Sequence, residues 1–212
     1  MAKANYFVVV TVVVVAAALL IIIVAAGPAG ATFSGRNGKI GFLSDRTDGI
    51  TTQIWTMRSG GADQTQLTDG SASVWYLDWS ADGNKIAFQR KNAIITMKAN
   101  GTGQTRLPKA GSRNGAPTWS PDGNKIAFMS HERYQPYEIW IMNADGSAQI
   151  RLTDNTVDDF RPVWSPDGTK IAFASDRSGG REIYKMTSSG DQQTNLTNNS
   201  VYDDRPSWQP LP

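Results

Sequence analysis

The feature that most constrains this chain of 212 residues is a unit that recurs at fixed internal distances. The pattern W-S-x-D-G-x-K-I-A-F opens as WSADGNKIAF at Trp79, WSPDGNKIAF at Trp119 and WSPDGTKIAF at Trp164, and GRNGKIGF at residues 35 to 42 is the same unit without its front. Methionines follow in register at Met57, Met97, Met142 and Met186, and leucines at Leu67, Leu107, Leu152 and Leu196, with a fourth tryptophan at Trp208. Trp to Phe is 9 residues, Met to Leu 10 and Leu to the next Trp 12 in every copy, whereas Phe to Met runs through 15, 9, 14 and 13. All length variation is therefore confined to one loop. A period of about 40 to 50 residues points to a propeller or an array.

Each copy reads as four short strands. The first ends at the Trp and begins with Pro in three copies (Pro117, Pro162, Pro206), and a residue that cannot donate to a ladder suits the inner edge of a sheet. In the second, K-I-A-F, Ile and Phe share one face and a small residue, Gly41, Ala87, Ala127 or Ala172, occupies the other, so the strand can lie between two closely packed sheets. The third runs through QIWTM, AIITM, EIWIM and EIYKM, and the fourth ends in L-T, or in Leu107-Pro108 in the second copy. Asp-Gly and Asn-Gly pairs such as Asp82-Gly83, Asp122-Gly123, Asp167-Gly168 and Asn100-Gly101 mark hairpin turns that need positive φ. Repeated four-stranded meanders are propeller blades. The predicted fold is thus all-β, a β-propeller of four four-stranded blades. The first copy starts at its second strand and the chain's last segment, RPSW, stops after a first strand. Pairing of Arg205 to Trp208 beside Gly38 to Leu43 is expected to complete a blade, close the ring and remove two exposed edges. The alternative is an open arc completed by a second copy, a homodimer of eight blades.

The combination L-T, P-x-W-S-P-D-G-x-K-I-A-F-x-S-D-R and E-I-Y-x-M, carried by four copies from about Phe33 to Trp208, resembles the TolB-type, WD-like β-propeller repeat. That resemblance implies an extracytoplasmic binding module of bacteria. The chain departs from TolB itself in having four repeats where that protein has more, and in showing no amino-terminal α/β domain.

Ahead of the repeats, FVVVTVVVVAAALLIIIVAA fills residues 7 to 26 with Thr11 as its one polar interruption. As a helix it is about 30 Å long, enough to cross a hydrocarbon core. Its length favours an uncleaved anchor, whereas Ala29-Gly30-Ala31 resembles a signal-peptidase site before Thr32. Residues 1 to 31 are read as a signal peptide or transmembrane anchor and 32 to 212 as the propeller. Either way the propeller is expected to be periplasmic or secreted, or tethered facing outward, with membrane contact only through residues 7 to 26 if they are retained. Lys+Arg of 21 against Asp+Glu of 19 leaves a net charge of +2, which argues against a nucleic-acid partner. With no cysteine, a disulfide framework, a thiol nucleophile and a Cys-ligated zinc are excluded.

Candidate sites follow from the connectivity. In a four-stranded meander the variable second-to-third loop and the loop between blades emerge on one face, and length variation confined to one face marks a binding face. Trp75, Tyr76, Arg113, Tyr134, Tyr137, Phe160, Arg161, Tyr202 and Arg205 fall there, and enrichment in aromatic residues and Arg is the composition of recognition surfaces. Asp158, Asp159, Asp203 and Asp204, in TVDDFRP and SVYDDRP, are expected at equivalent positions near the channel mouth. Such carboxylates can hold calcium through oxygen ligands, or Arg161 and Arg205 neutralise them; no other cofactor is expected. No catalytic residue is assigned. The Asp of W-S-P-D-G reads as a turn residue, and His131, the single histidine, is adjacent to Ser130 and so points to the opposite face of its strand. The expected function is a noncatalytic module recognising a protein or glycan of the bacterial envelope. The alternative is a metal-assisted, lactonase-like hydrolase acting at the channel mouth.

Overall fold

The structure, a computed structural model, describes residues 38 to 210; the apolar run at residues 7 to 26 and the proposed boundary at residue 31 lie outside them. Four antiparallel sheets follow one another along the chain. The first contains β1 (Ile40–Ser44), β2 (Gln53–Met57) and β3 (Thr65–Gln66). The second contains β4 (Val74–Trp79), β5 (Lys85–Arg90), β6 (Ala93–Lys98) and β7 (Thr105–Arg106). The third is β8 (Arg113–Trp119), β9 (Lys125–His131), β10 (Glu138–Asn143) and β11 (Ile150–Arg151). The fourth is β12 (Asp159–Trp164), β13 (Lys170–Ser175), β14 (Glu182–Thr187) and β15 (Thr194–Asn195).

The blades pack as the K-I-A-F pattern requires. Ile86 and Phe88 join Ile54 and Val74 between the first two sheets. Ala87 lies with Trp119 between the second and third, and Ala127 with Trp164 between the third and fourth. Each Trp is a wedge whose ring covers the small residue of the preceding blade. At the first interface the fit is closest, since a Cβ on Gly41 would come 2.9 Å from Trp79 Nε1. The W-S-x-D-G turns explain their own residues. Ser80 Oγ donates to Asp82 at 2.6 Å and accepts from Lys85 N at 2.9 Å, and Ser120–Asp122 and Ser165–Asp167 repeat the arrangement.

One buried brace was hidden in the repeat. The first residue of the third strand accepts a hydrogen bond from the Thr of L-T: Gln53 from Thr68 at 2.6 Å, Glu138 from Thr153 at 2.5 Å, and Glu182 from Thr197. In the second blade both partners are absent together, replaced by Ala93 and Pro108. That joint loss is what the cost of an unsatisfied buried polar group demands.

The inner strands carry a feature the sequence did not suggest. Each ladder slips by one residue between 75 and 77, 115 and 118, and 160 and 163, and Tyr76, Ala116 and Arg161 there have φ of 49°, 46° and 49°. A bulge in this left-handed region bends and twists the strand. The carboxy-terminal segment repeats it: Arg205 has φ of 55°, and Asp203 N donates to Arg181 O at 2.8 Å as Asp159 N does to Tyr137 O. It nevertheless forms no ladder. β1 pairs with β2 alone, so the first sheet has three strands and not the expected four. The segment's hydrogen bonds run to the fourth blade, including Trp208 Nε1 to Val163 O at 3.3 Å, and among the described residues none runs to β1.

Candidate functional site

The inner strands β4, β8 and β12 run along a central channel, and cavities open at both of its mouths. At the turn mouth a cavity of about 450 Å³ is lined by Asp78, Trp79, Thr118, Trp119, Val163 and Trp164, with Ser207 and Trp208 alongside. At the opposite mouth a cleft of about 480 Å³ is lined by Trp75, Tyr76, Gln89, Lys91, Asn92, Arg113, Met129, Tyr137, Phe160, Arg161 and Arg181. This second opening lies on the variable-loop face.

Six of the nine predicted binding residues therefore meet in one place: Trp75, Tyr76, Arg113, Tyr137, Phe160 and Arg161. The bulges put Tyr76 and Arg161 there, because a left-handed residue redirects its side chain toward the mouth. Tyr134, Tyr202 and Arg205 are not brought into the cleft lining. Tyr134 is 87% exposed on its loop, Arg205 is exposed at the bulge of the terminal segment, and Tyr202 stands behind Arg181, accepting from its guanidinium at 2.5 Å. Gln89, Lys91, Asn92 and Met129 were not foreseen. Lys91 and Asn92 belong to the second blade's shortened loop, and the 9-residue spacing from Phe88 to Met97 was the signal for them: a tight turn ends at the rim and cannot overhang it.

The cleft is cationic, and its cations differ in how they are held. Arg181 is gripped by both oxygens of Asp176 at 2.9 and 3.2 Å and lies 4.0 Å above the Phe160 ring; the Asp176 carboxylate raises its already high pKa. Arg161 pairs with Asp204 and stands over Tyr76. Arg113 instead donates to two neutral groups, Asn92 Oδ1 at 3.1 Å and Tyr137 OH at 3.2 Å. Among the described residues no carboxylate pairs with Arg113 or Lys91.

The four predicted metal carboxylates are held one by one. Asp158 Oδ1 accepts from Tyr137 N at 2.7 Å, and Asp159, with no exposed surface, pairs with Arg177 at 2.5 Å. Asp203 Oδ2 accepts from Asn199 Nδ2 at 2.7 Å, and Asp204 faces Arg161 and Arg181. Among the described residues no three His, Asp or Glu side chains are grouped to hold a metal ion. The shared hydrogen bond to the preceding blade makes Asp159 the counterpart of Asp203, so Asp158 matches Tyr202 and the two acidic pairs are out of step by one residue. Arg205 donates its backbone N–H to Asp204 Oδ1 at 2.8 Å, but among the described residues its guanidinium pairs with none of them; Arg161, Arg177 and Arg181 supply the charge. His131 lies edge-on to Tyr137 with ring centroids 4.6 Å apart, while Ser130 is buried beside the Asn114 amide at 2.8 Å, so the two do not face each other.

At the turn mouth Asp78 Oδ2 accepts from Trp119 N at 2.7 Å, and burial pushes its carboxyl up to about 6. The turn aspartates go the other way: the Ser165 hydroxyl and the Thr169 amide hold Asp167 down at about 2. Hydrogen bonds of that kind favour the ionised form, whereas burial disfavours it.

Comparison with known proteins agrees with this architecture. The TolB beta propeller domain family matches residues 34–211. Among solved structures, a protein assigned as TolB from Agrobacterium tumefaciens is 25% identical with a TM-score of 0.68, over 74% of this chain and 60% of its own. TolB from Acinetobacter baumannii is 22% identical with a TM-score of 0.69, over 79% of this chain and 43% of its own. Hydrazine synthase from Kuenenia stuttgartiensis, an enzyme, shares the fold at 15% identity and a TM-score of 0.63, over 79% of this chain and 33% of its own. No curated protein matches the chain. The chain thus spans less than two thirds of the TolB structures it resembles, and with its family matched across nearly all of the repeat region it belongs to the TolB β-propeller domain family.

Proposed function

We propose that this protein is a noncatalytic recognition module working outside the cytoplasm, in the bacterial envelope, and that it binds a protein or glycan partner through the cleft at the variable-loop mouth. The observation that carries the proposal is the convergence of Trp75, Tyr76, Tyr137 and Phe160 with Arg113, Arg161 and Arg181 around one opening. Aromatic and Arg side chains in a concave, part-desolvated patch are what binding hot spots are made of. The apolar run at residues 7 to 26 and membership of the TolB propeller family support the compartment. The hydrolase alternative is not carried forward, because arginines and backbone or amide donors already engage the carboxylates it would use. Capture from an envelope extract tests the proposal. Arg113→Ala/Tyr137→Ala is expected to lower recovery of the wild-type partner by at least about tenfold, the scale of a hot-spot loss; equal recovery with both proteins overturns it.

We also propose that the ring closes in solution, with the segment around Arg205 to Trp208 on the free edge of β1. Its bulge and its hydrogen bond to Arg181 O support this, since they match those of β12. Hydrogen exchange reads it directly: the β1 amides not bonded to β2 exchange slowly in a closed ring, and fast exchange at those amides overturns closure.

A further inference from the structure

The cleft's chemistry narrows what it can hold. Two cations line it without a carboxylate partner among the described residues, Arg113 and Lys91. Arg161 and Arg181, by contrast, are already neutralised by Asp204 and Asp176. Arg113 is also aimed: its Nε and one Nη are held by Asn92 and Tyr137, which fixes the plane of the guanidinium at the rim. A guanidinium fixed in plane suits a carboxylate, because its parallel N–H groups match the two oxygens.

An extended acidic peptide supplies such a carboxylate, from its side chains or from its chain terminus, to charges that stand at the rim. The Gln89 amide adds nothing to that offer: its Nε2 donates to Lys91 O at 3.0 Å, and its Oε1 is enclosed, packed where a Cβ on Gly115 would collide with it.

The aromatic faces argue against a sugar. Tyr76 stands under Arg161, Phe160 under Arg181, and Tyr137 meets His131 edge to face. The flat surfaces on which a pyranose would stack are taken by guanidinium groups, and Trp75, half exposed at the rim, is the lining aromatic left open.

We propose that the cleft recognises a carboxylate of an acidic peptide segment, with Arg113 and Lys91 taking the charge. The inference rests on the recognition reading of this cleft and names its ligand class. The test uses the full chain in mild detergent and fluorescein-labelled octapeptides of Glu and Gly with a free carboxyl terminus, the same peptide amidated, and its Gln counterpart. A pentamer of galacturonate serves as the sugar acid. Fluorescence anisotropy is expected to show binding of the acidic peptide that weakens as salt rises and falls at least tenfold in Arg113→Gln/Lys91→Gln. Equal affinity for free and amidated acidic peptides assigns recognition to side-chain carboxylates, and loss on amidation assigns it to the chain terminus; both support the proposal. Equal binding of the Gln peptide overturns it, as does unchanged affinity in the double variant. Binding of galacturonate without peptide overturns the ligand class and leaves the recognition role standing. That role falls separately, if capture from envelope extract ignores the cleft variants.

Discussion

The two mouths of the channel are made from the opposite ends of the same strands, and their cavities are nearly equal, about 480 and 450 Å³. Size does not distinguish them; chemistry does. The turn mouth repeats itself, with Trp79, Trp119, Trp164 and Trp208 at matching positions. At the cleft mouth the corresponding places hold Trp75 and Tyr76, then Gly115 and Ala116, then Phe160 and Arg161. A side chain that must wedge between two blades faces the same neighbour in every copy and is held to one type. One that points out of the cleft face answers to no such neighbour, so variation at that end marks the surface that meets a ligand.

The largest test of this division is to exchange the roles of two tryptophans. Trp164, 4% exposed between the third and fourth blades, is expected to cost about 3–5 kcal/mol of stability when replaced by Ala, the usual loss for a buried large aromatic. Trp75 is 51% exposed, and Trp75→Ala is expected to stay within about 0.5 kcal/mol while weakening capture of the partner. Chemical denaturation of both variants measures the contrast. Similar losses in the two would mean that the cleft aromatics are packing residues like their counterparts at the turn mouth.

What the sequence made legible follows the same division. The blades, their order and the wedge role of the Trp positions could be read because packing fixes spacing, and Gly41, Ala87 and Ala127 sit where a ring must come close. Six cleft residues could be placed because five lie at the cleft ends of the inner strands and Tyr137 ends the variable loop. The bulges could not. Ala116, Arg161 and Arg205 each precede a proline, a position that ordinarily favours extended backbone, and the tertiary demand for a bent inner strand overrides that preference. The acidic register was misjudged for a related reason: TVDDFRP and SVYDDRP look superimposable by their paired aspartates, but the structure aligns them by Arg161 and Arg205, one residue apart. The sequence neighbours Asp176 and Arg177 likewise form no pair with each other: Arg177 reaches Asp159 on β12, and Asp176 reaches Arg181 across the loop.

Asp78 gives the sharper and smaller test, since it is the one carboxylate at the repetitive mouth that the repeat does not demand; Thr118, Val163 and Ser207 stand in its place in the other inner strands. Burial raises its pKa from 3.8 to about 6, so the folded state holds its proton more tightly than the unfolded chain does. Stability from this group is therefore fully present below pH 3.8 and is lost as pH rises through about 6. The loss is at most about 3 kcal/mol by the conversion of pKa into free energy, and water at the channel mouth screens part of it. In Asp78→Asn the side-chain oxygen still accepts from Trp119 N and carries no charge, so the variant is expected to gain on the wild type as pH climbs from 4 to 7. The turn aspartates do not obscure the effect. Asp82, Asp122 and Asp167 have lowered pKa values, so their contribution is present above 3.8 and disappears on the acid side, outside this window. Glu138, raised mainly by burial, is common to both proteins and subtracts out. Denaturation midpoints of the two proteins across this pH range decide the matter: a constant difference would mean that Asp78 titrates like a surface carboxylate and that the turn mouth is as open to water as the cleft.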